Sequence, residues 1–340
     1  MTKPGPSEFN IIMKALKIAV YGIAKNEETV AARWAASAAE ADVRVVLDTG
    51  STDRTVQVLA ANGVEVHRAL ITPWRFDEAR NRSLDLVPAD VDICISLDLD
   101  EVLSPGWRDE VIKAWIPGTT MIRYPFITGF HQNGSPSQVS WGHKVHKRDG
   151  YRWKYAIHEI LRPVGQHQEV FTQGFKIEHL EVKERSPDRY LDIIRQWSLL
   201  EPDEPRYQQY LARNLFDQGK YEECLAVLEK YFNLPNLDAP EKAFSYRIQA
   251  WCYRQLNAGP DLIVEALLKA VANSPRERET WAHLAEEMYF FGNIPNAYSA
   301  LTNALRIKDV YQSYRLEPDV WNGKLEMMMD KVIVELKRSL

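Results

Sequence analysis

The chain has 340 residues, enough for about two domains of ordinary size. With 45% hydrophobic and 26% charged residues it has the composition of a globular protein, and a net charge of −5 gives no overall attraction for nucleic acid or an anionic membrane. Its three cysteines, Cys94, Cys224 and Cys252, are scattered through apolar segments without a CxxC pair, which excludes a disulfide framework and suits a reducing compartment.

Residues 1–15 read as a flexible leader, lacking the apolar core and cleavage site of a signal peptide. No apolar run reaches the roughly 18–20 residues needed to span a bilayer, so a cytoplasmic protein is expected. Residues 16–24 form an apolar, β-rich run, and a helix is expected from Glu27 to Glu40. Residues 43–48 are a second strand, followed by a TGST turn and a helix from Asp53 that stops at Asn62-Gly63. A third strand spans 64–68, a helix 77–86 and a fourth strand 92–98. This β-α-β-α-β order predicts a mostly parallel sheet with helices on both faces. Short strands at 119–128, 138–148 and 169–179 add antiparallel or irregular pieces. After Ser186-Pro187 helix signals dominate, with a linker helix at 186–205 and a helical domain over 206–340.

The helical half carries a weak repeat. Segments 209–232 and 283–307 each read helix, turn at Gly219 or Gly292, helix. Leu267 and Leu301 fall 34 residues apart, as do Ala270 and Ala304, which is the tetratricopeptide period.

Four groups of residues carry chemistry. Asp98-Leu99-Asp100-Glu101 closes the strand ICISLDLD; strand alternation would set Asp98 and Asp100 on one side, at the edge where α/β sheets bind ligands. Two carboxylates there would repel unless a cation lay near, and oxygen ligands suit Mg²⁺ or Mn²⁺. Asp48 ends the second strand, where it could accept from a base or ribose; Gly50 permits a tight turn, and Ser51, Thr52 or Asp53 suits the start of the next helix. Arg80, within ARNRS at 79–83, could hold phosphate or base. His158-Glu159 and Glu178-His179 could serve as metal ligand, base or orienting pair. Each group alone also has an ordinary structural explanation.

The ordered set AKNEE (24–28), DTGSTDRT (48–55), FDEARNRS (76–83), LDLDE (97–101), YRWKYAIHE (151–159) and IEHL (177–180) resembles family 2 glycosyltransferases of the bacterial type with a tetratricopeptide tail. The resemblance implies a GT-A catalytic domain, Rossmann-like and mostly parallel, over 16–185, followed by an all-α tetratricopeptide-like domain. It implies an inverting transfer from a nucleoside-diphosphate sugar, UDP-linked by family habit. Ala24 and Glu27 would lie beside the nucleoside, Asp48 at base or ribose, Arg80 on the nucleotide, and Asp98 at ribose or metal. Asp100 would coordinate Mn²⁺ or Mg²⁺, with His179 as a further ligand. Glu159 would be the base and His158 its orienting neighbour. One departure from the family is the run WGHKVHKRDG at 141–150, whose His143, Lys144, His146, Lys147 and Arg148 form a local basic cluster.

The acceptor stays open between a surface glycan, a peptide or protein lying in a repeat groove, and a modified nucleic-acid base. Trp74, Trp107, Trp141 and Trp153 are candidate sugar platforms, though packing is the commoner use of tryptophan. The competing class is a non-catalytic tetratricopeptide scaffold with a degenerate transferase domain. A nucleotidyltransferase is disfavoured because AKNEE lacks a glycine-rich phosphate loop. No heptad or symmetric patch marks a dimer, and self-association through the repeats stays open.

Overall fold

The computed structural model describes residues 16–180, 187–309 and 315–339. The expected leader, residues 1–15, lies outside the described residues, as does Ser186. The chain divides into two compact units, Met1–Glu184 and Arg185–Leu340.

The first unit is mixed α/β. Strands β1 (Ile18–Ala24), β2 (Val43–Asp48), β3 (Glu65–Arg68) and β4 (Ile93–Ser96) alternate with helices α1 (Glu28–Ser37), α2 (Thr55–Ala61) and α3 (Phe76–Asp85). These four strands lie parallel in the order β3-β2-β1-β4. The chain therefore builds outward from β1 to β3, then returns to the other side of β1, which makes a switch point between β1 and β4.

Alternation along β1 explains the layering. Ile18 and Val20 join a core with Trp34 of α1, Leu59 of α2 and Trp107 of α4 (Trp107–Ala114). Ala19 and Tyr21, pointing the other way, pack with Leu84 of α3 and Val87. Both faces of the strand are covered, which is why its sequence is an unbroken apolar run.

Beyond β4 the sheet becomes mixed. β7 (Pro136–Lys147) runs antiparallel to β4 and to β6 (Met121–Phe130). The stretch expected as one strand over 169–179 is two, β10 (Glu169–Phe171) and β11 (Ile177–His179), both parallel to β6. β11 also pairs antiparallel with β5 (Glu101–Leu103), a strand that the acidic tetrapeptide concealed. A separate hairpin joins β8 (Tyr151–Lys154) and β9 (Ile160–Pro163).

The second unit is helical among its described residues. Helix α5 (Pro187–Leu200) precedes three helical hairpins: α6 (Pro205–Asp217) with α7 (Tyr221–Phe232), α8 (Ala239–Gln255) with α9 (Pro260–Asn273), and α10 (Arg278–Phe290) with α11 (Ile294–Arg306). Gly219 and Gly292 turn the first and third hairpins at φ +72° and +73°, a region costly for any residue with a Cβ. Leu267, Ala270, Leu301 and Ala304 are all buried on the second helices of their hairpins, where the small alanines let helices approach. Helix α12 (Pro318–Trp321) and α13 (Lys324–Ser339) follow, and Leu325 and Val332 of α13 close the same core. No helix among the described residues is long and apolar enough to cross a membrane.

Candidate functional site

The carboxyl ends of β1, β2 and β4 gather most of the residues singled out in the sequence, though several differ from expectation in what they do. Asp98 and Asp100 do not sit on a strand. β4 ends at Ser96, and the two aspartates lie in a turn closed by the Glu101 amide donating to the Asp98 carbonyl at 2.9 Å. Their relation is set by that turn and not by strand alternation. Glycine at position 22 lets the turn lie against β1, because a Cβ there would come within 2.5 Å of the Leu97 carbonyl oxygen. The Trp34 indole N–H, reaching across from α1, donates to the same carbonyl.

The cation that the paired carboxylates require is supplied, for Asp98, by the protein. Arg80 on α3 donates from Nη1 to Asp98 Oδ1 at 2.6 Å and from Nε to Glu159 Oε1 at 2.6 Å. Lys144 on β7 donates from Nζ to Asp98 Oδ2 at 2.9 Å and to Glu101 Oε1 at 2.6 Å. Burial alone would push the Asp98 pKa up, but Arg80 and Lys144 outweigh it and hold the carboxyl well below its usual range. Burial likewise opposes the charge on Arg80, and Asp98 and Glu159 more than offset that, so the guanidinium stays charged. Its flat face lies 4.8 Å from the Trp153 ring centroid. For Glu101, buried and beside Asp98, burial raises the pKa despite Lys144.

Asp100 takes a different partner. Its Oδ2 lies 3.0 Å from Nε2 of His179 at the end of β11. The pair is a hydrogen bond between two side chains of types that can each ligate a divalent ion. No three metal-ligating side chains converge among the described residues.

Asp48 is buried, and its carboxylate accepts from the amides of Gly50 and Ser51 at 3.2–3.3 Å, with Arg68 Nε 3.6 Å away. It anchors the turn that leads to α2. Thr52 donates its amide to Asn26 Oδ1, and it is Asp53 that receives the Thr55 amide at the start of α2. Ala24 is buried, its carbonyl taken by the amide and hydroxyl of Thr49. The Glu27 amide donates to the Thr55 hydroxyl. The loops after β1 and β2 are thus stitched to each other.

His158 and Glu159 lie in the loop between β8 and β9, tied to α3 by the Phe76 amide donating to the Ala156 carbonyl. Tyr155 and His158 adopt φ of +80° and +50° there. Neither is glycine, and strain of this kind persists only where surrounding contacts enforce it.

The basic cluster at 143–148 is not one surface. Lys144 points to the carboxylates, the buried His146 accepts from the Tyr21 hydroxyl through Nε2, and Arg148 donates to the Val87 carbonyl. The sequence could not show this, because it follows from pairing β7 with β4. Among the candidate platforms, Trp107 and Trp153 are core residues whose indoles donate to the Ser37 carbonyl and the Tyr21 hydroxyl. Trp141 is half-exposed with Phe171 edge-on at 5.1 Å, and Trp74 packs edge-on against Phe76. A shallow cleft of about 500 Å³ runs from Glu110–Ile116 to Val170–Gly174 and includes none of the predicted site residues.

The helical unit has its own cleft, about 220 Å³, between α6 and α8. Arg213, Phe216, Phe244 and Trp251 line it, with Arg315 and Glu317 at its edge. Beneath it Arg247, fully buried, pairs with Glu277 at 3.1 Å and with Glu317.

Comparison with known proteins bears on this second unit. Residues 182–314 match the family of the SusR N-terminal TPR (tetratricopeptide) domain. The second unit is therefore a tetratricopeptide-like helical domain. No curated protein matches the chain. Among solved structures, MamA from Desulfovibrio magneticus RS-1 is 18% identical, with 45% of this chain and 87% of that one covered and a TM-score of 0.33. The Yersinia enterocolitica secretion chaperone SycD, crystallised with a peptide of the translocator YopD, is 18% identical over 38% of this chain and 92% of that one, TM-score 0.32. Yeast Tom70 is 15% identical over 44% of this chain and 30% of that one, TM-score 0.37.

Proposed function

We propose that the first unit is a metal-dependent transferase of GT-A type, acting on a nucleoside-diphosphate sugar, and that the tetratricopeptide-like unit is the scaffold that presents its acceptor. The helical half has the wider support as a fold, since the family match covers residues 182–314; its role in presenting an acceptor is part of the proposal. The transferase half rests on the ordered motifs and on one observation: the turn after β4, next to the switch point of the parallel strands, carries two pairs, Arg80 with Asp98 and His179 with Asp100.

Asp98 and Glu159 share Arg80, Asp98 and Glu101 share Lys144, and Asp100 lies beside them, an acidic setting that suits a cation. Asp100 and His179 would hold a divalent ion, which when bound neutralises charge on the departing nucleoside diphosphate. Ala24, Glu27 and the Asp48 turn would flank the nucleoside. Glu159 uses Oε1 for Arg80, which leaves Oε2 to take the acceptor proton, with His158 next to it in the strained loop.

The second reading is a non-catalytic scaffold. The Arg80–Asp98–Lys144–Glu101 network favours it, because these pairs give the same residues a structural purpose without any ligand. Thermal melting separates the two readings. UDP or a UDP-sugar with Mn²⁺ should raise the melting temperature, and chelator should remove the rise. No shift with any nucleotide leaves the scaffold alone standing.

A further inference from the structure

We propose that the cleft between α6 and α8 docks an extended peptide in which an acidic residue stands next to an aromatic one. This rests on the reading of the helical unit as the part that presents an acceptor, and gives that acceptor a chemistry. The cleft is walled by rings. Phe216 lies 5.8 Å from Trp251, and Phe244 meets Trp251 edge-on at 6.2 Å. Its volume of about 220 Å³ falls below the roughly 300 Å³ at which small-molecule pockets begin, so it suits one side chain of a longer segment. Among such ring walls an aromatic side chain gains the most contact.

The charges select the neighbour of that side chain. Arg213 and Arg315 both line the cleft, with the Arg315 guanidinium 5.4 Å from the Phe244 ring centroid. Among the described residues neither arginine is paired with a carboxylate. Two acidic residues line the cleft as well. Glu317 is neutralised from behind, since one oxygen accepts from Arg247 Nη2 and the other lies 2.8 Å from His283 Nε2. Asp217 is exposed at the end of α6, where solvent and salt screen it. The uncompensated charge at the mouth is therefore cationic, and forked guanidiniums favour a carboxylate.

The back wall points the same way. Arg247 is fully buried, its guanidinium 5.3 Å and 5.5 Å from the Phe244 and Trp251 ring centroids, and Nη1 lies 3.1 Å from Glu277. Its Nε has no hydrogen-bond partner among the described residues. A buried donor is rarely left so, and this one sits beside the two rings that a ligand would touch. Glu317 already places one carboxylate among arginine and rings here, an example within the chain of the chemistry the wall accepts. The same ion pairs hold Phe244 and Trp251 in place before any ligand arrives, which lowers the ordering cost of binding.

The experiment is fluorescence anisotropy on the full chain without nucleotide, using labelled hexapeptides blocked at both ends. The probe is Gly-Phe-Glu-Phe-Glu-Gly; the controls replace both Glu by Gln, or both Phe by Ala. The probe should bind about tenfold tighter than either control, and Arg213→Gln or Arg315→Gln should each lower its affinity about tenfold, the scale of a charge-assisted hydrogen bond. Phe216→Ala should weaken it as well, and Arg195→Gln, on the surface of α5, should leave it unchanged. Added salt should weaken the probe and spare the Gln peptide. Equal binding of the Gln peptide, equal binding of the Ala peptide, or full affinity in both arginine variants would each overturn the inference. So would absence of binding up to about 1 mM probe. Because no nucleotide is present, these outcomes are independent of the melting shift with UDP and Mn²⁺: a failed probe with an intact shift removes the inference and leaves the transferase reading. Should Arg315→Gln lose helicity by circular dichroism, Arg213→Gln decides.

Discussion

His146 illustrates how one side chain changes meaning once its neighbours are known. In the sequence it belongs to a basic run; in the fold it is fully buried, and burial pushes its pKa down to about 4. Nδ1 donates to the Lys147 carbonyl at 2.8 Å, so Nε2 is the acceptor for the Tyr21 hydroxyl. His143 behaves alike, held at about 4 by burial, with Arg123 and Lys144 adding to the effect. An unfolded histidine titrates near about 6.5. Between those values the unfolded chain takes up a proton that the folded chain refuses, so stability falls as pH drops from about 6.5 toward 4. Urea unfolding midpoints followed from pH 7 to pH 4.5 should decline less in His146→Gln than in the unaltered protein. Equal declines would mean that His146 does not carry its share of the loss.

At the scale of elements, the parallel half was legible because its signals are local. An apolar run covered on both faces, a helix and a glycine stop are all contained in short windows, and β1 to β4 fall where those windows place them. The helical hairpins were legible for another reason: Ala270 and Ala304, like Leu267 and Leu301, repeat one packing position. What escaped was non-local. β5 hid inside an acidic tetrapeptide because its strand character comes from pairing with β11, some 75 residues on. Lys144 looked like one cation among five, since its direction is fixed by the β4–β7 register, Ile95 against Val145. The closeness of β1 to the Asp98 turn gives a test at this scale. Gly22→Ala would place a Cβ within 2.5 Å of the Leu97 carbonyl, so the turn must move or β1 must yield. Overpacking of this kind costs about 1–3 kcal/mol. Chemical denaturation should show that loss, and nucleotide-dependent stabilisation should weaken with it, since the displaced turn carries Asp98 and Asp100. An unchanged unfolding curve would show that the contact relaxes freely.

For the molecule as a whole, the two units have separate cores. One is built on β1, α1, α4 and the strands beside them, the other on α9 to α11 with α13, and among the described residues none belongs to both. A core that closes within its own unit is the condition for folding alone, and it lets the two proposed roles be separated by cutting the chain. The cut belongs at Glu184, where the units divide, and not at the end of the linker helix near residue 205, because α5 lies with the helical unit. Residues 1–184 alone should keep the melting shift with UDP and Mn²⁺ and should hydrolyse donor slowly, while losing transfer to an acceptor that the full chain can use. Residues 185–340 alone should give a cooperative helical melt with no nucleotide response. If the first fragment loses donor hydrolysis and transfer together, yet still melts cooperatively, then the helical unit contributes to the donor site itself. Acceptor presentation would then be the wrong division of labour between the two units.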